Sequence, residues 1–492
     1  MTIDPTVTLK WDGKVTHAKR PKVLIVGGGL GGLALGMILQ RSDTPYEIFE
    51  RATEVQLIGS AISLTGTSAS LFKQMGIWEE FRELSRELAA LQVVNENLEQ
   101  EFKISIHEDP ARRYGGESRV IDRPTLYNLF LRQIPKEHIH FGKKILSTQQ
   151  GGNGVIIRCS DRSEYEGDIL VGADGAHSAV RQNLYAQLKK DMKLPPTDDV
   201  PLPFSTVCLL GQTRPLTTDE FPHLLRETSQ FIRVLGENKP YTWATFTTRN
   251  TVCYSVIQFL DKKSSKDNDS FRNSEWGPEA ADAMCKEVQH FPIASGRKET
   301  LTIGDLVNLT PKDCVVKVML EEKVFDTWYH CRTVLLGDAC HKLNPSGGAG
   351  ATNAIHDAIV LANYIHALQD HPSTADIEDC FRAYQEERKS WVDSSFITSQ
   401  TFKSMAAKGF KAMLTRTVMK HMPKWLQGEV EKRLLSNRPQ VSFLPRDDTE
   451  VTMEPVPQPS LHVKRPNNTA QQQQRQQKDH HGAVLDDNAR PI

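Results

Sequence analysis

The ten residues Val23 to Gly32, VLIVGGGLGG, narrow the fold more than any other stretch of this chain. A continuous apolar run of four fits a strand buried on both faces of a parallel sheet. Gly27, Gly29 and Gly32 follow it in G-x-G-x-x-G spacing, and Leu33 to Gln40 has helix-forming composition. Tyr46 to Arg51, YEIFER, then reads as a second strand ending in an acid. The first glycine permits a tight turn, the second lets a pyrophosphate approach the backbone, and the third lets helix and strand pack closely. The helix N-terminus offers unpaired N–H groups and about half a positive charge to phosphates. Glu50 stands 18 residues beyond Gly32. A carboxylate there accepts both ribose hydroxyls and repels a 2′-phosphate. The unit predicts a dinucleotide site without choosing between NAD and FAD.

The choice depends on the rest of the chain. Val334 to Ala358, VLLGDACHKLNPSGGAGATNAIHDA, again sets a glycine-rich loop between an apolar run and a helical stretch. Asp338 follows the strand and is suited to a sugar-like hydroxyl. Pro345 stiffens the turn, and Gly347, Gly348 and Gly350 expose backbone N–H groups. The helix from about Ala351 aims its positive end at the loop, an arrangement that stabilises negative charge on a reduced flavin. FAD is long enough to need both loops, one for its adenylate and one for its ribityl chain and ring. A third stretch, DILVGADGAHSAVR, contains Asp168, Gly172, Asp174, Gly175, Ser178 and Arg181, and a fourth, IDRPTLYNLFL, opens a helix at Arg123.

In order and spacing these four stretches resemble the FAD-dependent aromatic hydroxylases, the group A flavoprotein monooxygenases of the para-hydroxybenzoate hydroxylase type, over roughly residues 21 to 395. The run LEEKVFDTWYHCRTVLLGDACHK is similar to the fungal secondary-metabolite branch of epoxidases and hydroxylases. The resemblance implies an α/β fold: a Rossmann-like FAD-binding domain, an inserted and mainly antiparallel β-sheet substrate domain, and a C-terminal helical region. The implied boundaries are a flexible arm at 1–20, the FAD-binding domain at 21–200 and 327–395, the middle sheet at 201–326, helices at 396–440 and a disordered tail at 445–492. It also implies FAD contacts from Arg51, Ser63, Arg123, Asp174, Gly175, Asp338, Pro345, Gly348, Gly350 and Ala351, beside Gly27, Gly29, Gly32 and Glu50. The implied activity uses NADPH or NADH and O2, through a flavin hydroperoxide, to hydroxylate or epoxidise a small lipophilic or aromatic substrate. The chain departs from the family where Ala349 replaces a glutamine and Thr352 takes the usual asparagine position, with Asn353 following. Neither the arginine nor the tyrosine that some relatives place near Phe204 to Gly211 is present, so no catalytic side chain is carried over.

Other classes fit less well. A formal net charge of −1 offers no field for nucleic acid. The eight cysteines form no CxxC pair, and no His spacing makes a metal site, so a cytoplasmic, metal-free protein is expected. His341 reads as a satisfied loop histidine. Phe204, Trp243, Phe246, Tyr254 and Phe259 are candidates to line a substrate pocket, in a middle sheet expected to be rather exposed. A reductase or dehydrogenase on the same scaffold, or a flavin-binding interaction protein, are the alternatives. From Lys403 to Lys424 six lysines and arginines occur with no acid, interleaved with apolar residues. That pattern predicts a packed basic helix or a weak peripheral membrane contact.

Overall fold

A computed structural model describes residues 20–54, 61–88, 90–105, 113, 115–236, 239–260, 278–295, 300–406, 414, 417–418, 421 and 423–465. Its organising layer is a six-stranded sheet ordered Tyr329–His330, Thr333–Leu335, Ile169–Gly172, Val23–Val26, Tyr46–Phe49, Ile139–His140. Every pairing in it is parallel except the hairpin of the first two strands. Val23 to Ile25 are fully buried, as a strand covered on both faces requires. One face is covered by helices Leu30–Leu39 and Gly350–Ala367, which pack on each other. The helix begins at Leu30, three residues earlier than composition suggests, because Gly29 serves as its N-cap.

The second layer is a seven-stranded sheet ordered Val315–Glu321, Phe204–Gln212, Val252–Phe259, Tyr241–Thr247, Phe231–Leu235, Ala90–Val94, Gln100–Ser105. Its last two strands come from within 21–200, so the inserted sheet is not confined to 201–326 as the sequence suggested. Ala90–Val94 runs parallel to Phe231–Leu235, a long-range pairing that no local pattern specifies. The sheet is also less exposed than expected. On one face Leu209, Val234, Trp243, Tyr254 and Val256 pack against helices Pro278–Val288 and Ile303–Asn308. The opposite face bears Cys208, Leu235 and Ile257.

Two expectations about the termini are corrected. Residues 445–465 are not a disordered tail: Asp447 accepts from Ser70, and Ser460 is fully buried, donating to Glu387 from both its N–H and its hydroxyl. Buried side-chain bonds, not apolar content, order this segment, so a composition-based reading missed them. At the other end Arg20 is buried and donates to the carbonyls of Leu368 and His366. The remainder of the arm and 466–492 lie outside the described residues. The helix Thr374–Ala406 extends through Lys403, which pairs with Glu322 rather than joining a free basic face. Much of 407–422 also lies outside the described residues.

Candidate functional site

Adjacent parallel strands present their carboxyl ends on one edge of a sheet. Here four such ends stand side by side: Leu335, Gly172, Val26 and Phe49. Each leads into one of the sequence stretches singled out above, so Gly337–Asp338, Ala173–Asp174, Gly27–Gly32 and Glu50 converge from positions up to three hundred residues apart. The strand order switches sides at the central strand Val23–Val26, whose parallel neighbours Tyr46–Phe49 and Ile169–Gly172 lie on opposite sides of it. That is the crevice where open α/β sheets hold ligands.

The local geometry follows from close approach. Gly27 has φ +110°, and a Cβ there would stand 2.3 Å from the Ala173 carbonyl oxygen. Only glycine satisfies both conditions. A Cβ on Gly32 would stand 2.0 Å from the Gly27 carbonyl oxygen, which is the tight helix–strand contact expected of the third glycine. A Cβ on Gly29 meets no protein atom within 4 Å, so its role is not protein packing. Glu50 accepts from the Gly28 N–H at 2.7 Å and the Ala52 N–H at 2.8 Å, which fixes its carboxylate beside the loop.

Asp174 is held by the Ala179 N–H at 2.7 Å and the Val180 N–H at 3.2 Å, at the start of helix Ala179–Lys190. Burial raises its pKa, opposed by these hydrogen bonds. Its second oxygen, Oδ1, is buried without a partner, as are Asn344 Nδ2 and Thr352 Oγ1 in the second glycine loop. Asp338 pairs with Lys342. Gly348 has φ +62°, and its added Cβ would lie 3.0 Å from Ser63 Oγ, so Ser63 and the second loop do meet. Asn344 accepts from the Ser346 N–H and shapes the turn at Pro345. Gly350 and Ala351 open the long helix. Arg51 and Arg123 are exposed at the rim, Arg123 at the first turn of helix Arg123–Leu131.

A buried ionic group braces the second loop, and sequence spacing alone did not reveal it. Asp357 and Arg388 are at most 1% exposed, and Arg388 Nε donates to Asp357 Oδ1 at 2.7 Å. Asp357 Oδ2 lies 2.6 Å from His341 Nε2 and accepts from the Gly337 N–H at 3.1 Å. Burial alone would raise the Asp357 pKa, but His341 and Arg388 outweigh it and bring it to about 2. An ionised carboxylate only accepts, so Nε2 of His341 carries the proton. Arg388 also donates to Asn353 Oδ1 at 2.8 Å. His341 thus positions the turn through Nε2 alone: its Nδ1 is buried without a partner, so it is only half the satisfied loop histidine the sequence suggested, and Asn353 supports the helix start from inside. His356, in the same core, is pushed down to about 3 by burial and the Arg388 charge.

Of the proposed pocket aromatics, Trp243 and Tyr254 belong to the helix-covered core. Phe246 stacks edge-on with Phe231 at 4.1 Å on the other face. The same face carries Arg233, a side chain the sequence reading passed over. It was legible as the single charge in FIRVL, Phe231 to Leu235. A separate cleft of about 440 Å³ lies between helix Ala179–Lys190 and segment 194–202. None of the four motifs' glycines lines it, so it is not the dinucleotide crevice.

Comparison with known proteins shows the family. A model of the FAD binding domain matches residues 20–395. The FAD-dependent monooxygenase ptmM of Penicillium ochrochloron is 28% identical over 392 residues, covering 77% of this chain and 87% of that protein. The Aurachin C monooxygenase/isomerase of Stigmatella aurantiaca is 28% identical over 354 residues, covering 71% and 82%. Among solved structures, HpxO of Klebsiella pneumoniae complexed with FAD and uric acid superposes with a TM-score of 0.63 at 18% identity, over 84% of this chain and 95% of that one. That likeness concerns the fold.

Proposed function

The chain belongs to the FAD-binding-domain family and is an FAD-dependent monooxygenase, and from that premise we propose that it oxygenates a small, mainly apolar organic molecule at the expense of a reduced nicotinamide and O2. The observation that carries the reading is the convergence of four motif-bearing strand ends on one crevice. The polar atoms there suit FAD: open space at Gly29 for a pyrophosphate, a fixed carboxylate at Glu50 for ribose, and the unpaired buried Asp174 Oδ1 for a further hydroxyl. In this reading Glu50 and Arg51 hold the adenylate end, Gly27, Gly29 and Gly32 admit the pyrophosphate, and Arg123, Asp174, Gly175 and Asp338 hold the middle. Ser63, Pro345, Gly348, Gly350 and Ala351 frame the ring.

Bound FAD supplies the redox chemistry, accepting electrons from the nicotinamide and delivering one oxygen atom of O2 to the substrate. The chain's own residues bind, orient and exclude water. The N-terminus of helix Gly350–Ala367, with its unpaired N–H groups, would stabilise anionic charge on a ring held at this loop. Asp357, His341 and Arg388 brace that loop, and the second sheet meets it where Arg233 approaches the Ser346 carbonyl. A reductase or dehydrogenase on the scaffold is not favoured, since the relatives are monooxygenases. Weak, reversible docking on an anionic lipid surface through 403–424 belongs to the same proposal, supported by exposed Leu414, Val418 and Trp425 in and beside that acid-free stretch.

The test is purification, release and identification of the flavin, then NAD(P)H-dependent O2 uptake with candidate substrates. FAD at near one per chain and O2 uptake that rises with substrate are expected. A colourless protein that takes up no added FAD would overturn the reading.

A further inference from the structure

The hairpin at one edge of the six-stranded sheet, Tyr329–His330 against Thr333–Leu335, turns through only two residues, Cys331 and Arg332. A two-residue turn whose first central residue has φ > 0 selects glycine. Here that position is Cys331, at φ +51°. A residue with a Cβ is disfavoured there, so the thiol is kept against the preference of the backbone. The turn stands at the amino end of strand Thr333–Leu335, on the side of the sheet away from the crevice, and flavin binding gives no account of it.

The thiol is not alone. His330 Nε2 lies 3.5 Å from Cys331 Sγ, and His330 Nδ1 lies 3.6 Å from Glu378 Oε1. Glu378 stands near the start of helix Thr374–Ala406 and accepts from the Cys331 N–H at 2.7 Å, which docks the turn on the helix. One ligand atom from each of the three residues lies within 4.8 Å of the other two. Imidazole, thiolate and carboxylate are the protein ligands of zinc, at about 2.0–2.3 Å, which sets ligand atoms about 3.5 Å apart in a tetrahedron. The Nε2–Sγ spacing already meets that figure, and the carboxylate, on a flexible side chain, closes the rest. All three residues are half-buried, which shelters an ion and leaves room for a water.

A second trio, Cys340, His341 and Asp357, also converges, but Arg388 donates to Asp357 at 2.7 Å and already supplies the positive charge that an ion would bring. The hairpin trio has no such occupant. Of the two cations near its thiol, Lys193 is exposed, and Arg332 is committed to Thr374 and to the Asp168 and Gly152 carbonyls.

We propose that His330, Cys331 and Glu378 bind one zinc ion, with water in the fourth position, and that the ion staples the hairpin to helix Thr374–Ala406. Thiolate and carboxylate together neutralise its two charges, the thiol proton leaving to solvent on binding. Thiolate and imidazole favour zinc over magnesium or calcium, which take oxygen ligands. The same helix carries Arg388, so the staple steadies the element that braces the second glycine loop. No spacing motif joins the three ligands, since Glu378 stands 47 residues beyond Cys331, and for that reason the sequence pointed to a metal-free protein.

The experiment uses the FAD-loaded chain, reduced and stripped of metal by a chelator that is then removed, as wild type, Cys331→Gly, His330→Gln and Glu378→Gln. Glycine suits φ > 0, so Cys331→Gly without zinc should melt no lower than wild type, and Glu378→Gln keeps an acceptor for the Cys331 N–H. Each protein is dialysed against zinc chloride, bound zinc is measured by atomic absorption, and melting is followed with and without zinc. Wild type should hold one zinc per chain more than Cys331→Gly, with an affinity at least tenfold above that of His330→Gln and Glu378→Gln. Zinc at about a hundredfold excess over its Kd should raise the wild-type melting temperature by roughly 3–5 °C and leave that of Cys331→Gly unchanged. Cobalt in place of zinc should give thiolate charge-transfer absorption in wild type that Cys331→Gly lacks. Equal zinc uptake by wild type and Cys331→Gly, or none by either, overturns the proposal, as does a melting shift of the same size with magnesium. Loss of flavin on adding zinc would place the ion in the crevice and overturn it as well.

Discussion

Replacing Asp357 with alanine tests whether the second glycine loop is held from inside the core. The carboxylate is fully buried and closes three interactions, to Arg388 at 2.7 Å, His341 at 2.6 Å and the Gly337 N–H at 3.1 Å. Its loss strands the Arg388 charge, whose own exposure is 1%. Breaking a buried pair by removing one partner costs about 3–5 kcal/mol, chiefly through the uncompensated charge that remains. At roughly 2 °C per kcal/mol for a chain of this size, the melting temperature should fall by roughly 6–10 °C. The loop should loosen as well, because Gly337, at φ +61°, loses its anchor. A hydrogen bond to a charged group contributes about 1.5–3 kcal/mol, so FAD affinity should weaken by roughly tenfold or more. Thermal release of flavin fluorescence reads the first effect and equilibrium dialysis the second. The double variant Asp357→Leu/Arg388→Met removes both charges and should regain much of the melting temperature without regaining FAD affinity. If Asp357→Ala melts within about 1 °C of wild type, the network does not brace the loop.

Gly29→Val should abolish FAD binding and leave circular dichroism near wild type, since a Cβ there meets no protein atom; a variant that stays yellow refutes the pyrophosphate assignment. His356 has its pKa lowered to about 3, whereas the unfolded ring titrates near ~6.5. Between those values the unfolded chain binds the extra proton, so stability is complete above about pH 6.5 and is lost as pH falls toward 3. His356→Gln should therefore melt with a shallower pH slope from 6.5 to 5, and an unchanged slope would count against it. Truncation after Val456 should lower the melting temperature by several degrees, because Glu387 loses both bonds from Ser460 and Asp43 loses its pair with Arg465. Truncation after Arg465 should leave it unchanged; equal melting of both truncations would show that 457–465 does not stabilise the fold. Sedimentation with anionic liposomes at low salt should carry down part of the wild type and less of Trp425→Ser, and equal recovery in the supernatant with and without liposomes excludes membrane docking.

What the sequence made legible follows a physical division. Glycines that accept φ > 0, or where an added Cβ would stand within 2.3 Å of backbone, leave an unmistakable mark, because no other residue serves there, and so Gly27 and Gly32 were readable one by one. Buried parallel strands likewise announce themselves as short apolar runs. Pairings between distant segments carry no such mark. Ala90–Val94 is a short apolar run broken only by Gln92, and nothing in ALQVV says that it lies parallel to Phe231–Leu235 across the domain boundary. The 457–465 segment reads as polar tail because its order comes from individual side-chain partners, Ser460 with Glu387 and Gln458 with Gln440, and not from apolar content. Arg233 lies between these cases. Its charge was visible within an apolar strand, but a lone arginine in a strand is ordinary until the neighbours of its fork are known. The sequence contains several arginines with better credentials, Arg123 and Arg181 among them, each inside a motif. Only the register, which sets Arg233 beside Ala244 and Val93 and above Ser346, turns an unremarked residue into a buried cation with no carboxylate partner among the described residues. Motifs thus point to the proposed cofactor crevice, since its geometry is built from backbone and glycine. The substrate is met by side chains whose neighbours are assembled from strands far apart in the chain, and its chemistry must be read from the assembled face.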